Sequence, residues 1–566
     1  MSKIQKAIRQ YQSEFPFLAL VIFLGVLAGS WLLRPGYFNM HDDLQMMRQL
    51  ELEKCFIDFQ IPCRWAPDMG YGFGLPLFNY YPPLPYFIGQ IIRIFGVSFV
   101  DTAKYTFFLS IVFSGLAMYI LGRSFWGKLG GLASSSFYIW APYRAVDIFV
   151  RGAMNESWSF VWFPLILWSA YKLISAAQFR YIIILALSWS ALLLSHNLMG
   201  MIFIPVFAGW VLLWLIRERS WFTLPQLFAA LVWGLGLAAF FTIPVFLEKN
   251  LVHVEDLVAG YYQYIVHFAS TNQLLFSRFW GYGRSVWGAD EDQMSFQIGH
   301  LHWVLPTIII GVVVWHYLKT RRLDNLTLVT CYFFLIGWFS IFMVHTRSTF
   351  VWMFFESFLK FLQFPWRFLT LGVLSFSIIA GSFVLLFKNK ITAGCFVAIF
   401  IFILIVLNKD YFRPEKMGPL TDESKFSGLA WELQQQGGIH DYLPLAAKEP
   451  PISPRTALAE VVEGKADISE ENQLTNRAQF KIAVASEKSL VRVNIFQFPN
   501  WKVFLDNHEV QTTLNEDVLG RMHIVVPKGT HEVVTRFYDT PVRRTTNLIT
   551  LVSLVSLLTV PLWRRR

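Results

Sequence analysis

"FPFLALVIFLGVLAGSWLL", Phe15 to Leu33, runs nineteen residues without a charged side chain. At the rise of an α-helix that length crosses a bilayer core of roughly 30 Å. A basic start precedes it (Lys3, Lys6, Arg9), as in a secretory leader, but no small-residue cleavage site follows it. The stretch therefore reads as a retained signal anchor. Outward from it the same reading repeats. Apolar segments of spanning length lie near Tyr105–Leu121, Leu129–Ala141, Trp158–Tyr171, Tyr181–Leu194, Met201–Ile216, Phe222–Phe246, Trp303–Tyr317, Leu326–Val344, Phe368–Phe387, Ile391–Leu407 and Leu548–Trp563.

Composition agrees: the 566 residues are 55% hydrophobic and 17% aromatic, with 15% charged and a mean hydropathy of +0.45. These values exclude an ordinary soluble globule. The net charge of +10 is dispersed between apolar segments, not gathered into a stripe, so no nucleic-acid partner is expected. Topology accounts for it better. Alternate connections are basic: Arg123/Lys128, Lys172/Arg180, Arg217/Arg219, Lys319/Arg321/Arg322, Lys388/Lys390 and the terminal Arg564, Arg565 and Arg566. The positive-inside rule then predicts about twelve spans with both termini cytoplasmic. Pro85–Val97 carries Gln90 and Arg93 and would break this alternation as a span, so it reads as an amphipathic helix in the outer interface.

The predicted fold is a polytopic α-helical membrane protein with an extracytoplasmic β-rich, sandwich-like domain. Residues 1–408 form the membrane domain, with outer loops 34–104, 142–157, 247–302 and 345–367. Residues 409–544 hold alternating stretches such as "FKIAVASEKSLVRVNIF" and "RMHIVVPKGTHEVVTRFY", separated by turn signals, which read as strands. Residues 545–566 return to the membrane and end in the basic tail. Of four cysteines, Cys331 and Cys395 fall in predicted spans. Cys55 and Cys63 share the first outer loop, where they are either bridged in an oxidising compartment or two buried thiols.

The unusual polar residues all fall in outer loops. The first holds His41, Asp42, Asp43 and Arg48, then "RWAPDMGYGFGLPLFNYYPPLPY" with Tyr81; the second gathers Arg144, Asp147, Arg151 and Glu156; the third has Glu248, His253, Glu255 and Asp256; the fourth has Glu356, Lys360 and Arg367. Carboxylates at membrane level are costly unless they pair, bind a cation or react. One site built from several loops is therefore expected. Each residue also has a plainer reading. Asp43 suits an N-cap for a helix beginning "DLQMM". Arg151 and Glu156 suit a structural pair, His253 suits a packed loop histidine, and Arg367 suits a snorkelling arginine. "NES" at Asn155 matches a glycosylation sequon incidentally.

The motifs "HDD", "YPPLPYFIGQIIRIFG", "GRSFWGK" and the second acidic outer loop, in that order, resemble the GT-C superfamily of polyprenyl-phosphate-sugar-dependent glycosyltransferases. "YRAVDIFVRGAMNE", "LQFPWRF", "FPNWKVFLDNHEV" and "VPKGTHEVVTRFYDTPVRR" look closer still to bacterial membrane proteins labelled 6-pyruvoyl-tetrahydropterin-synthase-related and to YfhO-like proteins. The pterin label implies no chemistry here, because no zinc-binding histidine cluster of suitable spacing is present. The resemblance covers nearly the whole chain. It implies an undecaprenyl-phosphate-linked sugar donor, an extracytoplasmic glycan, lipid or protein acceptor, and transfer with inversion. Asp42 matches the position of the general base, with Asp43 second. Arginine suits a phosphodiester by its forked donors, so Arg151, Arg144 and Arg367 are the expected donor-phosphate contacts. Glu156 either orients the acceptor, helps hold a cation, or pairs with Arg151. His41, Tyr81, Glu248 and His253 are expected at the substrate, and Asp42 with Glu156 is the carboxylate set for Mg²⁺ or Mn²⁺, if a metal is used. The competing readings are a lipid or glycolipid transporter or flippase, and a non-catalytic cell-envelope assembly protein. Neither sugar nor acceptor identity is legible.

Overall fold

A computed structural model describes residues 3–285 and 293–563, with side chains described for 12–285 and 293–559. The stretch 286–292 of the third outer loop, the basic side chains of Lys3, Lys6 and Arg9, and the terminal arginines Arg564 to Arg566 lie outside that description. The longer helices are α1 (Lys3–Ala28), α2 (Gln45–Ile57), α3 (Leu84–Arg93), α4 (Phe99–Ile139), α5 (Met154–Ala176), α6 (Phe179–Ser195), α7 (Asn197–Glu218), α8 (Leu224–Leu237), α9 (Ala239–Leu247), α10 (His300–Thr320), α11 (Asn325–Val344), α12 (Leu369–Gly381), α13 (Lys390–Asn408) and α14 (Pro541–Trp563). Among the described residues, seven helices are long and apolar enough to cross a membrane, or eight if the bent pair Trp221–Leu237 and Ala239–Leu247, which turns by 79°, is one span. The chain is a multi-pass membrane protein.

The chain divides into two compact units. The first comprises residues 1–43, 101–235 and 261–419; the second comprises 44–100, 236–260 and 420–566.

In the first unit α4 shows how local sequence sets the crossings. Its 41 residues would extend about 60 Å as one straight helix, twice a bilayer core. Gly127, at φ +72°, reverses the chain in the basic turn between Arg123 and Lys128. This backbone conformation is one that glycine adopts without a Cβ penalty. The two halves then lie against each other: Ser135 donates to the carbonyl of Gly115 at 2.8 Å, and a Cβ on Gly122 would meet Ser134 Oγ at 2.8 Å. Two expected spans, Tyr105–Leu121 and Leu129–Ala141, are thus the arms of one hairpin. Small residues repeat the device across helices, since a Cβ on Gly381 of α12 would meet Ser134 Oγ at 2.0 Å. Association of helices in lipid relies on such close packing, because burial from hydrocarbon supplies little drive. Large apolar side chains such as Ile204, Ile216, Leu335 and Phe350 point outward, as lipid-facing positions require.

The second unit carries the β-region. Strands β1 (Ala459–Glu463), β2 (Ala466–Gln473), β3 (Arg477–Phe496), β4 (Trp501–Leu505), β5 (His508–Val510) and β6 (Arg521–Phe537) form one antiparallel sheet ordered β1-β3-β6-β4-β5, with β2 also paired to β3. The sandwich-like expectation resolves into this single six-stranded sheet. Its two long strands slip register between Val484 and Lys488, where such an irregularity bends a sheet. Trp65 of the first loop is fully buried against Phe498, Trp501 and Phe537, with ring centroids 5.4–5.9 Å away. Cys55 and Cys63 are joined as a disulfide. Helix α3 is only ten residues long, which is too short to span.

Candidate functional site

The site begins with the backbone of the first loop in the first unit. The amide of His41 donates to the carbonyl of Val150 (2.9 Å), and that of Asp42 donates to the carbonyl of Arg151 (3.0 Å). Gly152, at φ +63°, permits this approach: a Cβ there would meet Met40 Sδ at 2.4 Å and the Asp42 carbonyl at 3.0 Å. The facing segment is a π-turn, Val146–Val150, closed by the Arg151 amide on the Val146 carbonyl at 2.9 Å. Such turns recur at functional sites because the extra residue re-aims side chains. His41 Nε2 lies 2.8 Å from the Tyr282 carbonyl.

Arg151 is the hub. Its Nη1 donates to Asp147 Oδ1 (2.6 Å), Glu156 Oε2 (2.8 Å) and the Tyr143 hydroxyl (3.0 Å). Glu156 also accepts from the Tyr143 hydroxyl (2.7 Å) and from Thr370 (3.1 Å), and Arg367 Nε lies 3.6 Å from its Oε2. Arg367 is therefore turned inward and does not snorkel. All of these groups are buried or nearly so. Burial, then the charge of Glu156, pushes the Asp147 carboxyl well above its ordinary range, against the pull of Arg151. Burial opposes the charge on Arg151, but Glu156, Tyr143 and Asp147 outweigh it and hold the guanidinium above its usual value. The cluster is two guanidiniums interleaved with two carboxyls and a phenol. It suits an anion brought to Arg151 and Arg367 better than it suits a cation.

Arg144 falls outside that role. It is fully buried, its Nη groups donate to the carbonyls of Ser157 and Ser110 (both 2.8 Å) and to Ser114 Oγ (3.1 Å), and its guanidinium lies 4.2 Å from the Phe160 ring centroid. Burial lowers its pKa to about 10. It braces the π-turn against α4 and α5 and offers no face to a phosphate. Asp43 stands one residue before Leu44, the N-cap of α2.

Three expected substrate residues belong to the second unit. Glu248 is buried and fully engaged: Arg543 Nε donates to it at 2.7 Å, Asn79 at 3.1 Å and Thr540 at 2.5 Å. These bonds make it one half of a buried ion pair with Arg543. His253 likewise has both ring nitrogens occupied, by Glu255 (2.9 Å) and the Ala447 carbonyl (2.8 Å). Tyr81 packs under the guanidinium of Arg48, 4.1 Å from its ring centroid. Among the described residues no group of three histidine, cysteine, aspartate or glutamate side chains converges to hold a metal ion. Glu156, bonded by an arginine, a phenol and a threonine, does not fit as a ligand for Mg²⁺ or Mn²⁺.

Tyr143 and Thr370 were not among the expected site residues, and Asp147, gathered with Arg144, Arg151 and Glu156 in the second outer loop, had no role of its own. Asp147 left a trace, being four residues before Arg151. Thr370 left none, since 214 residues separate it from Glu156.

No family model matches the chain. An uncharacterized protein of Lactococcus lactis subsp. cremoris (strain MG1363) is 21% identical over 312 residues, 53% of this chain and 48% of that protein, so the match spans about half of the relative. Solved structures similar to it include ArnT from Cupriavidus metallidurans bound to undecaprenyl phosphate (12% identity, TM-score 0.39, covering 70% of this chain and 64% of that one). They include the Archaeoglobus fulgidus oligosaccharyltransferase tethered with an acceptor peptide (13%, 0.41, 72% and 56%). They also include the arabinofuranosyltransferase AftD from Mycobacteria (12%, 0.44, 73% and 28%).

Proposed function

We propose that this chain is a membrane glycosyltransferase that moves a sugar, hexosyl or pentosyl, from a polyprenyl (undecaprenyl) phosphate to an extracytoplasmic glycan, lipid or protein acceptor. It acts at the outer face of a bacterial plasma membrane, with both termini cytoplasmic. The observation that supports this reading is the backbone pairing of His41 and Asp42 with Val150 and Arg151, which brings the first-loop backbone against the segment that carries the arginine hub.

In the proposed reaction the acceptor hydroxyl gives its proton to Asp42 as its oxygen attacks the anomeric carbon. The bond from that carbon to the phosphate oxygen breaks, its electron pair stays on phosphate, and configuration inverts. Arg151 and Arg367 stabilise the charge developing on the departing polyprenyl phosphate. Asp43 is the second choice for the base. Glu156 holds both arginines in place, and His41 lines the approach.

Replacing Asp42 with Asn in proteoliposomes supplied with a radiolabelled lipid-linked sugar is expected to lower transfer by about 100-fold or more while lipid binding persists. Full activity in that variant removes Asp42 from the mechanism. The bent helix pair Trp221–Leu247 is one feature that transporters share. It carries no ionisable side chain, which argues against a transport site there. Substrate accumulation in liposomes without consumption of lipid-linked sugar would favour transport instead.

A further inference from the structure

In the second unit, α2 and α3 lie side by side and run parallel. The Tyr86 hydroxyl donates to Gln45 (2.6 Å), Gln49 to Gln90 (3.0 Å) and Arg93 to Glu53 (2.7 Å). Their C-terminal ends therefore meet. There, Ile57, Phe59, Ile61, Ile91, Ile94 and Phe95 are 60–86% exposed, a contiguous apolar surface of a kind soluble proteins rarely show.

The loop that carries three of these side chains alternates. Asp58 turns inward and accepts the Thr475 amide at 2.6 Å; Gln60 turns inward and accepts the amides of Arg64 (2.5 Å) and Trp65 (2.8 Å). Ile57, Phe59 and Ile61 turn outward, Phe59 from a backbone φ of +56°, which is uncommon for an aromatic residue. A loop facing water would show the opposite order. The disulfide Cys55–Cys63 closes its base.

The surroundings identify the medium. The Arg93 guanidinium sits 3.7 Å from the ring centroid of Phe99, the first residue of α4, and Asp422 accepts the amides of Phe99 and Val100. Arg64, next to Cys63, donates to Asn547 of α14 at 3.0 Å, one residue before the predicted last span. The apolar surface thus lies beside the start of α4, a helix long and apolar enough to cross a membrane, and near the start of the predicted last span.

We propose that Ile57, Phe59, Ile61, Ile91, Ile94 and Phe95 form a wedge inserted into the acyl-chain boundary of that leaflet, with phospholipid as its occupant. Charged partners stay on the opposite side, and the disulfide keeps the loop's apolar side chains turned outward together.

The test places the photocrosslinker p-benzoyl-phenylalanine at Phe59 or Phe95 of the full-length protein in phosphatidylcholine nanodiscs, with adducts read by mass spectrometry. Lipid-facing Leu335 of α11 serves as the positive control and exposed Glu470 of β2 as the negative one. Both wedge positions are expected to yield phospholipid adducts at a level comparable with Leu335 and at least several-fold above Glu470. Adducts at the Glu470 level mean a water-facing surface and overturn the proposal. Crosslinks to a second copy of the chain, at twice its mass, overturn it in favour of a protein interface.

Discussion

One nitrogen of Arg151 faces Asp147, Glu156 and Tyr143 at once, and removing the Glu156 carboxylate leaves buried positive charge without its main compensation. Such losses cost about 3–5 kcal/mol. Glu156→Ala is accordingly expected to melt far below the parent in detergent. Asp147→Asn is expected to cost less, within about 1 kcal/mol, because Asn can still accept from Arg151. The sign with pH follows from the raised Asp147 pKa. The folded state holds that proton more tightly than the unfolded chain, so its stabilisation is complete below about pH 4 and is lost as pH rises through the raised value. Melting curves across pH should show this slope in the parent and lose it in Asp147→Asn. Gly152→Ala tests the neighbouring contact: a Cβ 2.4 Å from Met40 Sδ, on a left-handed backbone, should cost about 1–3 kcal/mol and lower transfer by displacing Asp42. Retained transfer and an unchanged melting temperature would show that the approach of Asp42 to Arg151 does not matter.

Helix ends and turns carry the next level of control. Asp422 accepts two amides at the start of α4, at 2.8 and 3.0 Å, from more than three hundred residues away. Asp422→Ala should destabilise the protein by about 1 kcal/mol and Asp422→Asn by less, which thermal unfolding in one detergent can resolve. The turns at Gly127 and Gly152 belong to the same class of control, because glycine alone enters those conformations without penalty. These elements divide by legibility. That the chain crosses repeatedly was readable because a bilayer demands about twenty apolar residues wherever the chain crosses, though seven or eight of the described helices meet that length and not twelve. The hairpin of α4 was readable as two spans, but its close packing through Gly122 and Ser134 was not, since small residues are common in apolar stretches whether or not they meet.

Over the whole molecule, the disulfide ties covalent chemistry to compartment. The denatured chain should take up two equivalents of maleimide at Cys331 and Cys395 before reduction and four after it. Four equivalents without reduction would place the first loop in a reducing compartment and contradict the proposed orientation. The sequence by itself determined that the chain crosses a membrane repeatedly and that a strand-rich region lies toward its C-terminal end, because hydropathy and alternation are local and act within a few turns of backbone. It also pointed to Arg151, Glu156 and Arg367, since charge near a span is costly and conspicuous. Only the tertiary structure decided how these groups are used. It turned Arg144, Glu248 and His253 into internal braces and brought Thr370 to Glu156 across 214 residues. Whether a buried polar group is already satisfied depends on partners that packing supplies from distant parts of the chain, and no local pattern records them.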